Sequence, residues 1–233
     1  MRLEGGRAGT TLALPQQPTK GTDRIALRAM ARSARRCWYP PRSVIITQGD
    51  TAHSAFFIRR GLVKLIATRP EGRERIVRLL GRGGWIGLGG LLNPMTEHAA
   101  IAVGPVEAYR LSLTRLRRLK QTHPDLYCRL TETWYECLQD ADLWLTQFCC
   151  GPVRARVARL VNFLACMHGS ERSSEVELLT CDEMAGILAV TPESVSRTLA
   201  QFKRSGILSA ERSRSHVVRY RRDALALQAL AND

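Results

Sequence analysis

No stretch of this sequence approaches the roughly 20 consecutive apolar residues that a membrane helix needs, so no membrane partner is expected. Residues 1–22 hold no apolar core of signal-peptide length and read as a polar, flexible tail, which points to the cytoplasm. There is no Cys-x-x-Cys pair among the seven cysteines, Cys37, Cys128, Cys137, Cys149, Cys150, Cys166 and Cys181, and their number is odd. Neither a disulfide framework nor a zinc ribbon is indicated; reduced, mostly buried thiols and no metal site are expected. Histidine is scarce, with five residues, and the apolar segments "AFFI", "LVKLIA" and "AAIAV" are nearly free of histidine and carboxylates. An active site of facing acids and bases has no raw material there, so no enzyme is expected.

Acidic residues are also few: 21 against 35 Lys and Arg, a net charge of +14. Such an excess points to a polyanionic partner. Its distribution does not locate one, because residues 151–233 carry only +3 and the first 150 carry +11. The acid-free run "RLSLTRLRRLK", Arg110 to Lys120, fits a solvated face as well as a binding surface.

What is present is organised in two ways. Turn signals recur at Gly49, Gly61, Gly72, Gly81–Gly84, Asn93-Pro94 and Gly104-Pro105, a spacing of about ten to twelve residues that short antiparallel strands produce. The segments between them, "SVIIT", "AFFI", "LVKLIA", "RIVRLL", "AAIAV" and "VEAYRL", predict an all-β roll over 23–121. The amphipathic stretch "RIALRAMARSARR", 24–36, predicts a short helix before it.

From Thr122, a candidate cap, the period changes to about three and a half over 122–150. Leu130, Trp134, Cys137, Ala141, Trp144 and Phe148 fall on alternating steps of four and three. Such a stripe needs a second surface: either its own roll or, the reading favoured here, the same helix of a second subunit in parallel. Gly151-Pro152 then marks a hinge.

Residues 151–233 read as helices and a hairpin. "VRARVARLVNFLACM" is a helix and "HGSERSSE" a polar loop. Thr180 with Glu183 three residues on forms a capping box for a short apolar helix ending near Ala189-Val190. A tight turn leads to "TPESVSR", where Thr191 caps a second helix and Pro192 takes its first position. Glu193, Ser196 and Arg197 project from one side of its first turns. Two helices so joined make a helix-turn-helix, and "GILSAERSRSHVVRYR" adds a two-stranded wing with Arg212 and Arg214 at its tip. Such a unit is expected to bind double-stranded DNA through Thr180, Cys181, Thr191, Glu193, Ser194, Ser196, Arg197, Arg212 and Arg214. Cys181, first after the Thr180 cap, is also a candidate redox-sensitive position. The alternative for Glu193 and Arg197 is a solvated surface pair. The fold class expected is α+β: a β-roll, a long helix and a winged helix-turn-helix.

In that order these parts resemble the Crp/Fnr family of bacterial transcription regulators over roughly 25–225, most specifically in "GDTAHSAFFIRRGLVKL" and "TPESVSR". The resemblance implies a cyclic-nucleotide-binding-like jelly roll and a homodimer. It also implies an activator that touches RNA polymerase through the loop "HGSERSSE". The Glu193, Ser196, Arg197 pattern is similar to the Fnr/FixK branch. Pro192 stands where the cAMP-responsive branch carries arginine, which implies a TTGAT-N4-ATCAA-like palindrome. In the nucleotide cassette Gly87 is kept, but Leu88 replaces the ribose-binding glutamate and His98-Ala99 replaces the phosphate-binding Arg-Ser pair, so cAMP control is not expected. Only Cys37 precedes the roll, so an Fnr-type iron–sulfur cluster is not expected either. Haem-binding relatives exist, and His53, His98, His123, His168 and His216 offer axial ligands, each more readily read as a surface or loop histidine. The alternative function is a haem- or small-ligand-binding sensor in which DNA binding is secondary.

Overall fold

A computed structural model describes residues 34–68, 72, 74–167, 175–211 and 219–232. The tail, most of the 24–36 segment, the loop 168–174 with His168, and the wing tip with Arg212, Arg214 and His216 lie outside the described residues.

Among the described residues, eight strands form the roll: β1 (Arg35–Tyr39), β2 (Val44–Ile46), β3 (Ser54–Arg60), β4 (Val63–Thr68), β5 (Glu74–Leu80), β6 (Trp85–Ile86), β7 (Ala99–Ala102) and β8 (Val106–Ser112). They pair antiparallel in two sheets of order β1-β8-β3-β6 and β2-β7-β4-β5. Turn chemistry sets the reversals. At Gly61, φ is 96° and an added Cβ would lie 2.3 Å from the Pro105 carbonyl oxygen, so only glycine fits between β3 and β4. Period-two alternation splits the apolar residues of β4 and β5 between two faces. Val63 and Leu80 fill the roll, with Phe56, Ile58 and Ala108, while Ile66, Ile76 and Leu79 face outward into a second core.

Helix α1 (Leu113–Thr122) closes the roll, and α2 (Pro124–Cys149) runs on from it. After Gly151-Pro152 come α3 (Val153–Met167), β9 (Glu175–Glu177), α4 (Cys181–Leu188), α5 (Pro192–Arg204), β10 (Leu208–Glu211), β11 (Arg219–Arg222) and α6 (Ala224–Asn232). The outward face of β4 and β5 packs on these helices, in a core shared with Trp144 and Phe148 of α2 and Val161, Met184, Leu188, Phe202 and Leu227. No helix among the described residues is long and apolar enough to cross a membrane.

Four expectations are corrected. The thiols are not mostly buried: among the described side chains Cys128 and Cys150 are exposed, and Cys37, Cys149, Cys166 and Cys181 are half-buried. Arg35 and Arg36 are strand, not helix: they pair with Arg110 and Tyr109 of β8, and Arg36 forms an ion pair with Glu107. Thr122 does not cap α2. It ends α1, its hydroxyl donating back to the Arg118 carbonyl at 3.2 Å, and α2 starts with Pro124 at its first turn. Leu130, Trp144 and Phe148, expected at a subunit interface, are buried within the protomer. Leu130 packs in the cluster of Leu113 and Leu116, whereas Trp144 and Phe148, 4% and 0% exposed, pack edge-on against Phe163 of α3 at 5.7 and 5.5 Å. A side chain already enclosed by its own chain has no surface left for a second subunit. Ala141 is half-buried; the side chains of Trp134 and Cys137 lie outside the described set.

Candidate nucleic-acid interface

Local sequence builds the two-helix unit. Thr180 accepts from the Glu183 N–H at 3.2 Å and the Glu183 carboxylate accepts from the Thr180 N–H at 3.2 Å, so both ends of the capping box are made. Helix α4 stops at Ala189, whose φ of 52° places a non-glycine residue in the left-handed region and turns the chain at once. Thr191 then caps α5, accepting from the Ser194 N–H at 3.3 Å, and Pro192 occupies the first turn, where no N–H is required. The cap and the proline that start α5 lie within three residues of Ala189, and the box that starts α4 lies one short helix before it.

Helix α5 is sharply two-faced. Val195, Thr198, Leu199 and Phe202 are buried against the core, and Glu193, Ser196, Arg197, Ala200 and Gln201 are exposed. The structure therefore brings Glu193, Ser196 and Arg197 together on one accessible surface. The Glu193 carboxyl is held below its usual range by its own backbone N–H, by the Thr191 hydroxyl and then by Arg197, so it is an ionised acceptor at neutral pH. Thr191 and Ser194 serve differently: their hydroxyls sit 3.1 Å apart within the cap, and Ser194 is half-buried. Thr180 is exposed at the start of α4, whereas Cys181 is a half-buried free thiol packed against the core. Arg212 and Arg214 lie outside the described residues, but the strands that lead to them are antiparallel, Leu208 to Arg222 through Glu211 to Arg219. A third strand, β9, pairs with β11 and escaped the sequence reading because its three residues, Glu-Val-Glu, hold one apolar side chain.

Contacts that no spacing announced tie the unit to the roll, the roll to α2, and α3 to α4. Lys64 Nζ on β4 donates to Glu183 Oε1 at 2.7 Å, and Arg75 on β5 reaches the Cys149 sulfur at 3.2 Å. Arg156 on α3 donates to the Leu188 carbonyl at 2.7 Å, at the C-terminal end of α4.

In the nucleotide cassette, Leu88 begins a short 3-10 helix (Leu88–Leu91) and is buried with Leu111, Leu113 and Leu116. A Cβ at Gly90 would stand 2.5 Å from Leu113 and 2.6 Å from Ala52, so the loop is seated directly on the roll. Burial lowers the pKa of His98, which is half-buried and neutral at neutral pH. His53 and His123 are exposed, and among the described residues no three His, Cys, Asp or Glu side chains converge as metal ligands would.

Two family models match the chain: a cyclic nucleotide-binding domain over residues 36–123 and a Crp-like helix-turn-helix domain over 155–227. The cAMP-activated global transcriptional regulator CRP of Salmonella typhimurium is 27% identical over 176 residues, 74% of this chain and 84% of that protein. A CRP-like cAMP-activated global transcriptional regulator of Mycobacterium tuberculosis is 22% identical over 196 residues, 82% of this chain and 88% of its own. Among solved structures, FixK2 from Bradyrhizobium japonicum aligns with a TM-score of 0.73 at 19% identity, covering 84% of this chain and 96% of that one. A CRP-family transcriptional regulator from Thermus thermophilus aligns at 0.71 and 23% identity, covering 84% and 97%. At these identities the two structures speak for the fold.

Proposed function

We propose that this chain, which belongs to the Crp/Fnr family of non-enzymatic, DNA-binding transcription regulators, acts in the cytoplasm as a homodimeric activator that reads a TTGAT-N4-ATCAA-like palindrome. The observation that carries the reading is the exposed face of α5, with Glu193, Ser196 and Arg197 at the start of a capped helix. Arginine makes a bidentate contact to guanine O6 and N7, glutamate accepts from cytosine N4, and serine serves either base. Thr180 and the wing tip, Arg212 and Arg214, supply phosphate contacts in this reading, and the segment "HGSERSSE", 168–175, meets RNA polymerase.

The second subunit pairs through the outer face of α2. Tyr135 and Leu145 are 61% and 55% exposed and ten residues apart, one heptad plus one step of three, so they share a seam. Control does not run through cAMP: buried Leu88 has no carboxylate for a ribose, and neutral His98 offers no fixed charge to a phosphate.

Selection from random duplexes tests the reading. An enriched palindrome is expected, with the same affinity with and without cAMP. Arg197→Ala should lose about 1–3 kcal/mol on that site and relax its guanine preference. A guanine preference that survives Arg197→Ala would show that α5 does not read it.

A further inference from the structure

The joint between α2 and the DNA-binding unit contains a buried arginine that the functions above do not use. Arg159 lies on α3, 8% exposed, and its guanidinium donates to three carbonyls on two other segments. Nε donates to the Ala231 oxygen at 2.7 Å; Nη1 donates to the Gln147 oxygen at 3.1 Å and to the Cys150 oxygen at 3.0 Å. These carbonyls belong to the last turns of α6 and α2 and to Cys150, the cap that follows α2. Burying a cation is costly, and here the negative ends of two helix dipoles offset part of that cost. Gly151, at φ 90°, carries the backbone over the group, where a Cβ would stand 3.7 and 3.8 Å from its two terminal nitrogens. The chain direction at the hinge, not lack of space, demands glycine.

A glycine-proline hinge is free to pivot, yet this one is bridged on both sides by one planar group. The surrounding apolar contacts, Trp144 and Phe148 on Phe163, resist separation but fix direction weakly. Three hydrogen bonds from a rigid fork fix the angle of α3 to α2. If α2 carries the dimer axis and α5 reads the half-site, that angle sets how far apart and how rotated the two α5 helices stand.

We infer that Arg159 is a positioning residue that sets the half-site spacing the dimer accepts, by locking α3 to the C-terminal ends of α2 and α6. The inference rests on the palindrome-reading dimer proposed above. Its test separates the two. Wild-type protein and the variants Arg159→Lys and Arg159→Gln are titrated with palindromes whose spacer is one base pair shorter, matched, or one or two longer. A single isolated half-site is titrated in parallel, below each protein's melting temperature. Each added base pair turns one half-site by about 35° relative to the other, so a rigid dimer discriminates sharply. The wild type should lose about tenfold or more per mismatched spacer, and the variants about threefold or less, with half-site affinity unchanged. Lysine, a point charge, cannot hold three carbonyls in one plane, so Arg159→Lys should already show the loss. Variants that keep the wild-type spacer preference, or lose affinity for the half-site in equal measure, would make Arg159 a stability residue only and overturn the inference. A wild type without any spacer preference overturns the functional reading and this inference with it.

Discussion

The carboxylate of Glu183 accepts from the Thr180 N–H at 3.2 Å, at the start of α4, and from Lys64 Nζ at 2.7 Å, on the roll strand β4. Burial is the largest influence on this group and would raise its pKa; the Lys64 ammonium and the Thr180 donors together outweigh it, so the pKa falls below its ordinary 4.5. An acid whose folded pKa is depressed adds stability above its unfolded pKa and loses it as the pH drops through the folded value. Replacing Lys64 with methionine should therefore cost about 1.5–3 kcal/mol at neutral pH, the range for a hydrogen bond to a charged group. The deficit relative to the parent should shrink once Glu183 is protonated in both proteins. Denaturant unfolding at neutral and at acid pH measures it, and a deficit independent of pH would mean that Lys64 acts through packing.

At the scale of the element, α2 shows what a periodic pattern does and does not determine. The alternation from Leu130 to Phe148 identifies positions that need cover: Leu130, Trp144 and Phe148 are buried and Ala141 is half-buried. Periodicity is silent on which surface does the burying; here it is α1, α3 and the roll. Adjacent positions consequently have opposite roles. Trp144→Ala should leave the proposed dimer intact and destabilise the protomer by about 3–5 kcal/mol, as removal of an enclosed aromatic does. Leu145→Asp should do the reverse, giving monomers in sedimentation and a melting temperature that no longer depends on protein concentration. Dimers that survive Leu145→Asp would place the subunit contact elsewhere. The same distinction governs the rest of the fold. The caps at Thr180 and Thr191 were legible because donor and acceptor lie within three residues. Strand β1 was not: the 24–36 segment has helical spacing, and its end becomes strand only because β8 pairs with it. Strand β6 is two residues long and β9, Glu-Val-Glu, has one apolar residue, so neither carries a pattern to read. Lys64 and Glu183 are 119 residues apart, and nothing local to either announces the other.

For the whole molecule, the composition shift at Gly151-Pro152 divides the chain into two units, but its packing does not. The apolar cluster around Met184, Leu188 and Phe202 continues without a break through Trp144 and Phe148 to Leu62, Ile66, Ile76 and Leu79 of the roll. Unfolding α3 to α6 alone would strand the outer face of β4 and β5 in water, and melting the roll alone would expose Met184 and its neighbours. Burial of apolar surface is the dominant favourable contribution to folding, so the two halves should be coupled strongly enough to melt together despite a length at which separate transitions are common. Calorimetry of the full chain is expected to show one heat-absorption peak. Ile76→Ala, a truncation on the roll side costing about 2–5 kcal/mol, should lower that peak as a unit. Tryptophan fluorescence would follow both sides, since Trp85 reports the roll and Trp144 the shared core. Two resolved peaks, with Ile76→Ala moving only one of them, would show that the shared core is a contact between independent domains and that the hinge, not the packing, sets the unit of folding.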